Sequence, residues 1–277
     1  MDTKFLDFYS KNIREDLIAS SPHVPSTKDI LMVLHNQLDY VKISIESIIK
    51  CTDNFHLYVW DNASDEETST YLHQIAQDLN KSKTKKMSVT RSLENVGFIV
   101  PNNEMASWGD NEYIILINSD TQVYPEWDNR LIGFLQRNED YLQVGYQGGI
   151  VDENAMGVCS NLGADIDYVA GWCFAIHRNT FDRYGLFDPN LEFAYGEDSD
   201  FSLKIKHYGY KIYALHLALV HHFGNKTIKF VKENSSRDIY GSFSRNHEYL
   251  RQKWKNYYQN DRIALVKGMK TESEVVE

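Results

Sequence analysis

Residues 29–62, DILMVLHNQLDYVKISIESIIKCTDNFHLYVWDN, decide the fold. Residues 30–34 are a short, wholly apolar run, as expected of a buried strand. Val41, Ile45, Ile48 and Ile49 then follow helical spacing, with Asp39 in the first turn, where an acid suits the helix dipole. Residues 55–60 return to strand character. Working outward, 68–79 reads as a second helix, 87–90 as a short third strand and 113–117 as a strongly apolar fourth. Strands alternating with helices imply an α/β fold whose sheet is mostly parallel and covered by helices on both faces.

The flanks are less regular. Residues 1–28 are polar and mixed, and Pro22 and Pro25 lie in a Ser/Pro stretch, which predicts an N-terminal extension or linker. In the second half, 144–151 and 169–176 read as strands, 199–208 as a helix and 212–220 as another apolar segment. Residues 237–259 read as a polar, aromatic-rich terminal helix. We therefore divide the chain into an extension (1–28), one domain with a doubly wound front half and a mixed back half (29–232), and a basic helical segment with an acidic tail (233–277).

Composition narrows the class. The 277 residues are 42% hydrophobic and 25% charged, ordinary globular values that exclude a disordered or fibrous chain. No apolar stretch approaches the roughly 18 residues of a membrane span. The start, MDTKFLDFYSKN, lacks a basic n-region followed by an apolar h-region, so no secretory signal is expected. Cys51, Cys159 and Cys173 form neither a disulfide framework nor a CxxC; they read as small core residues in a reducing, cytoplasmic setting.

The net charge of -10, from 29 Lys+Arg against 39 Asp+Glu, argues weakly against an anionic partner. The charge is uneven, however. Residues 226–268 hold ten Lys/Arg and only four Asp/Glu. That segment is expected either to be a solvated amphipathic helix or to approach an anion through Arg251, Lys253 and Lys255. A lipid-linked glycan, a membrane surface and a nucleic acid all remain open as such partners.

In open α/β sheets ligands sit beyond the carboxyl ends of the strands, and polar residues stand at each of these ends. The first strand ends in His35-Asn36 and the second in Asp61-Asn62-Ala63-Ser64. Glu94-Asn95-Val96-Gly97 follows the third, and Asn118-Ser119-Asp120 the fourth. Each alone is also turn chemistry. Asp120 is the sharpest, because a hard cation at the sheet's mouth needs oxygen ligands there.

The order VLHNQLDYVKISIESI, VWDNAS, ENVGFIVPNNEM, LINSDTQVYPEW, GWCFAIHRNTFDRYGLFDPNLEFAYGEDSDFSLKIKHYGY and ALVHHFG resembles inverting glycosyltransferases of family 2 with the GT-A fold. The nearest resemblance is to rhamnosyl-like and galactofuranosyl-like bacterial or phage enzymes. It covers about residues 29–227 and rests on six motifs in order. It implies a nucleotide-binding sheet merged with a mixed acceptor-side region.

By that resemblance Asp61 binds the donor's base or ribose, His35 and Asn36 line the base, and Asn95, Gly97 and Asn103 lie near the nucleoside. Asp120 matches the last acid of a DxD motif, with Asn118 in place of the first. Together with His221 it would hold a divalent metal, Mn2+ or Mg2+, with His222 the competing ligand. Gly171 and Trp172 match a step that shapes the sugar and acceptor pocket. Glu197-Asp198 match an acidic pair, with Glu197 in the pocket and Asp198 as general base; Asp200 stays outside the catalytic set as a first-turn helix acid.

The function implied is metal-assisted transfer of a sugar from a UDP- or dTDP-linked donor to a glycan, lipid-linked glycan or other hydroxyl, in the cytoplasm or at a membrane surface. The alternative is a non-catalytic module that only binds a nucleotide or glycan. A nucleotidyltransferase is disfavoured, since HNQLDY after the first strand has neither glycine nor base.

Overall fold

The computed structural model describes residues 27–152, 157–224, 226–235 and 238–257. Most of the expected extension and the acidic tail lie outside the described residues. A seven-stranded sheet is built from β1 (Lys28–Leu34), β2 (Phe55–Asp61), β3 (Lys85–Arg91), β4 (Tyr113–Ile117), β6 (Tyr141–Gly145), β10 (Cys173–His177) and β11 (Lys211–Ala214). Its order is β11-β6-β10-β4-β1-β2-β3. The contiguous group β4-β1-β2-β3 is parallel, with Lys28 beside both Phe55 and Tyr113. β10 alone runs antiparallel, between β4 and β6.

The apolar runs of β1 and β4 are buried on both faces, as strands in the middle of a covered sheet must be. One face packs on α1 (Leu38–Cys51), α2 (Glu66–Leu79) and α4 (Trp127–Arg137), around Ile45, Leu72 and Trp127. The other face meets α3 (Ile99–Ala106) and α6 (Glu197–His207), with Met105, Phe174, Phe187 and Phe201 in its core. A further helix, α5 (Arg178–Tyr184), follows β10.

Two expected strands and the apolar segment at 212–220 each divide. Residues 144–151 supply the end of β6 and then β7 (Gly148–Val151), which joins β8 (Gly157–Asn161) and β9 (Tyr168–Val169) in a small second sheet. Residues 169–176 likewise divide between β9 and β10, and 212–220 between β11 and β12 (Val220–His222). β12 pairs antiparallel with β5 (Thr121–Val123), directly after Asp120.

The expected terminal helix is α8 (Ile239–Lys253), preceded by α7 (Lys226–Asn234). It packs on the domain, with Leu250 and Trp254 buried in the second core. Of the three cations expected to approach an anion, Lys253 is held by acids of the fold, whereas Arg251 and Lys255 stand exposed. Lys253 bridges Asp188 and buried Asp200 at 2.5 and 2.8 Å, and Trp254 Nε1 donates to Asp200 Oδ1 at 2.8 Å. Arg251 pairs with Glu248. Asp200 is thus a structural acid. Arg237, Arg262 and Lys267 of that segment lie outside the described residues.

Candidate active site

Sheet topology alone gathers the site. β1 and β4 are parallel, so His35 and Asn118-Ser119-Asp120 emerge at one sheet edge. β10 is antiparallel, so its start, just after Gly171-Trp172, meets the end of β4: Cys173 pairs with Ile117 and Asn118 N–H donates to Trp172 O at 2.8 Å. A cleft of about 260 Å3 opens there. Of the residues anticipated from sequence, it is lined by His35, Asn95, Gly97, Asp120, Gly171, Trp172, Glu197 and Asp198.

At one end stand Asp120 and His222. Asp120 is buried; its Oδ1 lies 3.2 Å from His222 Nε2 and its Oδ2 accepts the Lys226 N–H at 2.8 Å. Burial pushes its carboxyl up, but His222 and the Lys226 amide outweigh this and hold it below the ordinary value. The structure places His222 here, and not His221. Successive side chains of a strand point to opposite faces, and β12 is in register with β5 so that His222 faces Thr121. His221 turns to the other face, edge-on to Phe223 at 4.7 Å. The Trp172 ring stacks on His222 at 5.1 Å, and its indole N–H is held by Gln147 Oε1 at 2.9 Å. The expected sugar-facing Trp172 therefore also braces the imidazole.

Among the described residues no group of three or more His, Cys, Asp and Glu assembles. One carboxylate and one imidazole still fit a divalent ion that keeps its remaining positions for water and phosphate oxygens.

The opposite wall is the start of α6. Asp198 Oδ2 accepts the Gly171 N–H at 3.0 Å, and Oδ1 accepts the Ser199 N–H at 2.8 Å. A Cβ on residue 171 would meet Asp198 Cβ at 3.2 Å, so glycine permits this approach. Burial raises the Asp198 carboxyl against these amides. Glu197 is 7% exposed, and its Oε2 has no hydrogen-bond partner among the described residues. Burial and the Asp198 charge push it up to about 8.

The loop before α6 is strained, with Phe193 at φ 54° and Tyr195 at φ 79°. Buried Asn246 of α8 clamps it: Nδ2 donates to the carbonyls of Glu192, Ala194 and Tyr195 at 2.8, 3.1 and 2.9 Å, and Oδ1 accepts the Glu192 N–H at 2.8 Å.

At the nucleoside end several expected side chains serve the frame. Asp61 does not line the cleft: its side chain is 1% exposed, paired with Arg91 at 2.6 Å, and accepts the Ser64 N–H at 2.8 Å. Asn36 is likewise outside the lining and ties its Oδ1 to the Asp65 N–H at 2.7 Å. Asn103 is outside the lining too, its amide exchanging hydrogen bonds of 2.9 Å with the backbone of Phe187. Gly97 sits at φ +88°, where a Cβ would lie 2.5 Å from Phe193 O; its close approach is to the strained loop.

Three lining features were given no role from the sequence. Asn62 joins the turn to Gly97 O at 2.7 Å, the loop 193–196 forms a wall, and α7 covers the cleft with Thr227, Ile228 and Val231. The apolar spacing of Ile228 and Val231 was the available signal for α7.

Comparisons with known proteins give the family and the fold. The description of Glycosyl transferase family 2 matches residues 29–197. An uncharacterized protein of Sinorhizobium fredii is 24% identical over 261 residues, covering 82% of this chain and 27% of the relative. An uncharacterized glycosyltransferase of Haemophilus influenzae is 23% identical over 130 residues, covering 47% of this chain and 39% of its own. This chain thus spans well under half the length of both. The crystal structure of GalNAc-T7 with UDP, GalNAc and Mn2+ superposes with a TM-score of 0.65 at 19% identity, over 84% of this chain and 50% of that one, which shows a shared GT-A fold. With its family description matched over more than half its length, the chain belongs to glycosyl transferase family 2.

Proposed function

We propose that this chain is an inverting glycosyltransferase that moves a sugar from a nucleoside diphosphate sugar to an acceptor hydroxyl. One observation carries this: a single cleft holds Asp198, fixed by two backbone amides, and the Asp120–His222 pair. The acceptor oxygen attacks the anomeric carbon as Asp198 takes its proton, and the bond to the diphosphate breaks on the opposite face. One displacement with no enzyme-bound intermediate inverts the configuration. A positioned base contributes roughly 10²–10⁴-fold in rate.

Asp120 and His222 would hold Mn2+ or Mg2+, which when bound offsets the charge of the leaving diphosphate. The fold shared with GalNAc-T7, solved with UDP and Mn2+, supports that choice. Asp61 acts on the nucleoside by fixing Arg91 and the turn at 61–64, and the base, of a UDP- or dTDP-linked donor, lies against His35, Asn95 and Gly97.

No helix among the described residues is long and apolar enough to cross a membrane. The free thiols favour a reducing, cytoplasmic setting. The acceptor is a glycan, lipid-linked glycan or other hydroxyl compound. The test is release of nucleoside diphosphate from a panel of UDP- and dTDP-sugars with and without Mn2+. Turnover of at least one donor, dependent on the ion, is expected; none across the panel would favour a binding module.

A further inference from the structure

At the Asp120 end of the cleft the His222 ring is oriented mainly by stacking. The Trp172 and His222 rings lie 5.1 Å apart and 14° from parallel. Among the described residues the imidazole makes one hydrogen-bonding contact, from Nε2 to Asp120 Oδ1 at 3.2 Å. Both atoms would be taken up in holding a cation, so that contact alone does not orient the ring. A histidine that binds a metal is ordinarily fixed by a hydrogen bond from its other ring nitrogen. Here the face of the indole takes that part.

The indole is in turn held by Gln147, where the chain crosses from β6 to β7. An indole N–H only donates, so it fixes the amide with Oε1 towards Trp172, at 2.9 Å. The amide nitrogen is then turned to Ser160 Oγ of β8, at 3.0 Å. The backbone keeps the two residues together: Gln147 O accepts the Ala170 N–H at 2.8 Å, and Trp172 O accepts the Asn118 N–H at 2.8 Å. Gln147 itself does not line the cleft.

Resting on the reading of Asp120 and His222 as a metal pair, we propose that Gln147 is a positioning residue for that pair. By holding the Trp172 N–H it keeps the indole flat against His222, and so keeps the imidazole turned towards Asp120. Without that hydrogen bond the indole is free to turn about its χ angles, and the imidazole with it. The loss falls on metal affinity, for which outer partners of this kind are worth about 10–100-fold.

The test measures Mn2+ binding in the presence of UDP by electron paramagnetic resonance, on wild type, Gln147→Leu, Trp172→Phe and the double variant. Phenylalanine keeps a stacking ring and loses the N–H. Each single substitution should weaken Mn2+ binding about tenfold. The double variant should bind no more weakly than the worse single one, because both remove the same hydrogen bond. Single effects that multiply to about 100-fold in the double variant, or a Gln147→Leu protein that binds Mn2+ as wild type does, would overturn the proposal. Proton NMR tests the geometry with no metal present. A ring C–H resonance of His222, assigned by its loss from His222→Ala, is displaced by the facing indole. In Gln147→Leu it should move towards its position in Trp172→Leu, and an unmoved resonance rules the proposal out. If wild type binds no Mn2+, the metal reading fails, while the resonance still decides whether Gln147 sets the ring.

Discussion

A buried acid kept neutral makes folding pH-dependent in a way that one substitution removes. Glu197 has an ordinary value of 4.5 and is pushed up to about 8 in the fold, first by burial and then by Asp198. Between those values the folded chain holds a proton that the unfolded chain has released. Stability contributed at low pH is therefore lost as pH rises from 4.5 and is fully gone above 8. At 1.36 kcal/mol per unit, the loss at pH 7 is roughly 3 kcal/mol. Glu197→Gln carries no such proton, so it should be more stable than wild type by about that amount at pH 7, and near parity at pH 4.5. Thermal unfolding of both proteins from pH 4.5 to 8 measures this, and for a domain of this size the gap at pH 7 corresponds to several degrees. Parallel stability curves across that range would refute the reasoning, because they would mean Glu197 ionises in the fold as it does outside it. A gain in stability with impaired transfer is the behaviour of a group kept for function.

Other substitutions separate frame from chemistry. His222→Ala should weaken Mn2+ binding, measured by electron paramagnetic resonance in the presence of UDP, at least tenfold, whereas His221→Ala should leave it as in wild type. Asn246→Ala removes four hydrogen bonds from the loop at 192–195 and should lower stability by about 2–3 kcal/mol in denaturant titration, with transfer falling further than UDP binding. Lys253→Met leaves buried Asp200 with the Trp254 N–H as its remaining side-chain hydrogen bond among the described residues and should cost about 2–3 kcal/mol, most of it recovered by adding Asp200→Asn.

The parallel half of the sheet was legible because β1, β2 and β4 are buried runs separated by amphipathic helices, each ending in polar residues at one edge. The back half was not, for a local reason. Tyr146-Gln147 and Gly171-Trp172 carry the chain from one sheet to another with no proline or charge to mark the break, so apolar periodicity runs through two strands as if through one. α4 carries Trp127, Leu131 and Leu135 at four-residue spacing and could have been found.

At the site, Asp120, Asp198, Glu197 and Trp172 were legible as residue types at strand and helix ends. The choice between His221 and His222 depends on the register of β12 against β5, and a one-residue shift reverses the face. The side chains of Asp61, Asn36 and Asn103 look like ligand groups in sequence, yet Arg91, the Asp65 amide and the Phe187 backbone already satisfy them. Partners so distant in sequence leave no local trace.

The most direct test of the account compares wild type with Asp198→Asn, which keeps the side chain's size and removes its basicity. Turnover of the nucleotide-sugar identified in the donor panel and binding of that donor with Mn2+ are measured on both. Transfer is expected to fall at least 100-fold with donor affinity within about threefold of wild type. Transfer near the wild-type rate would contradict the account, since the base would then lie elsewhere.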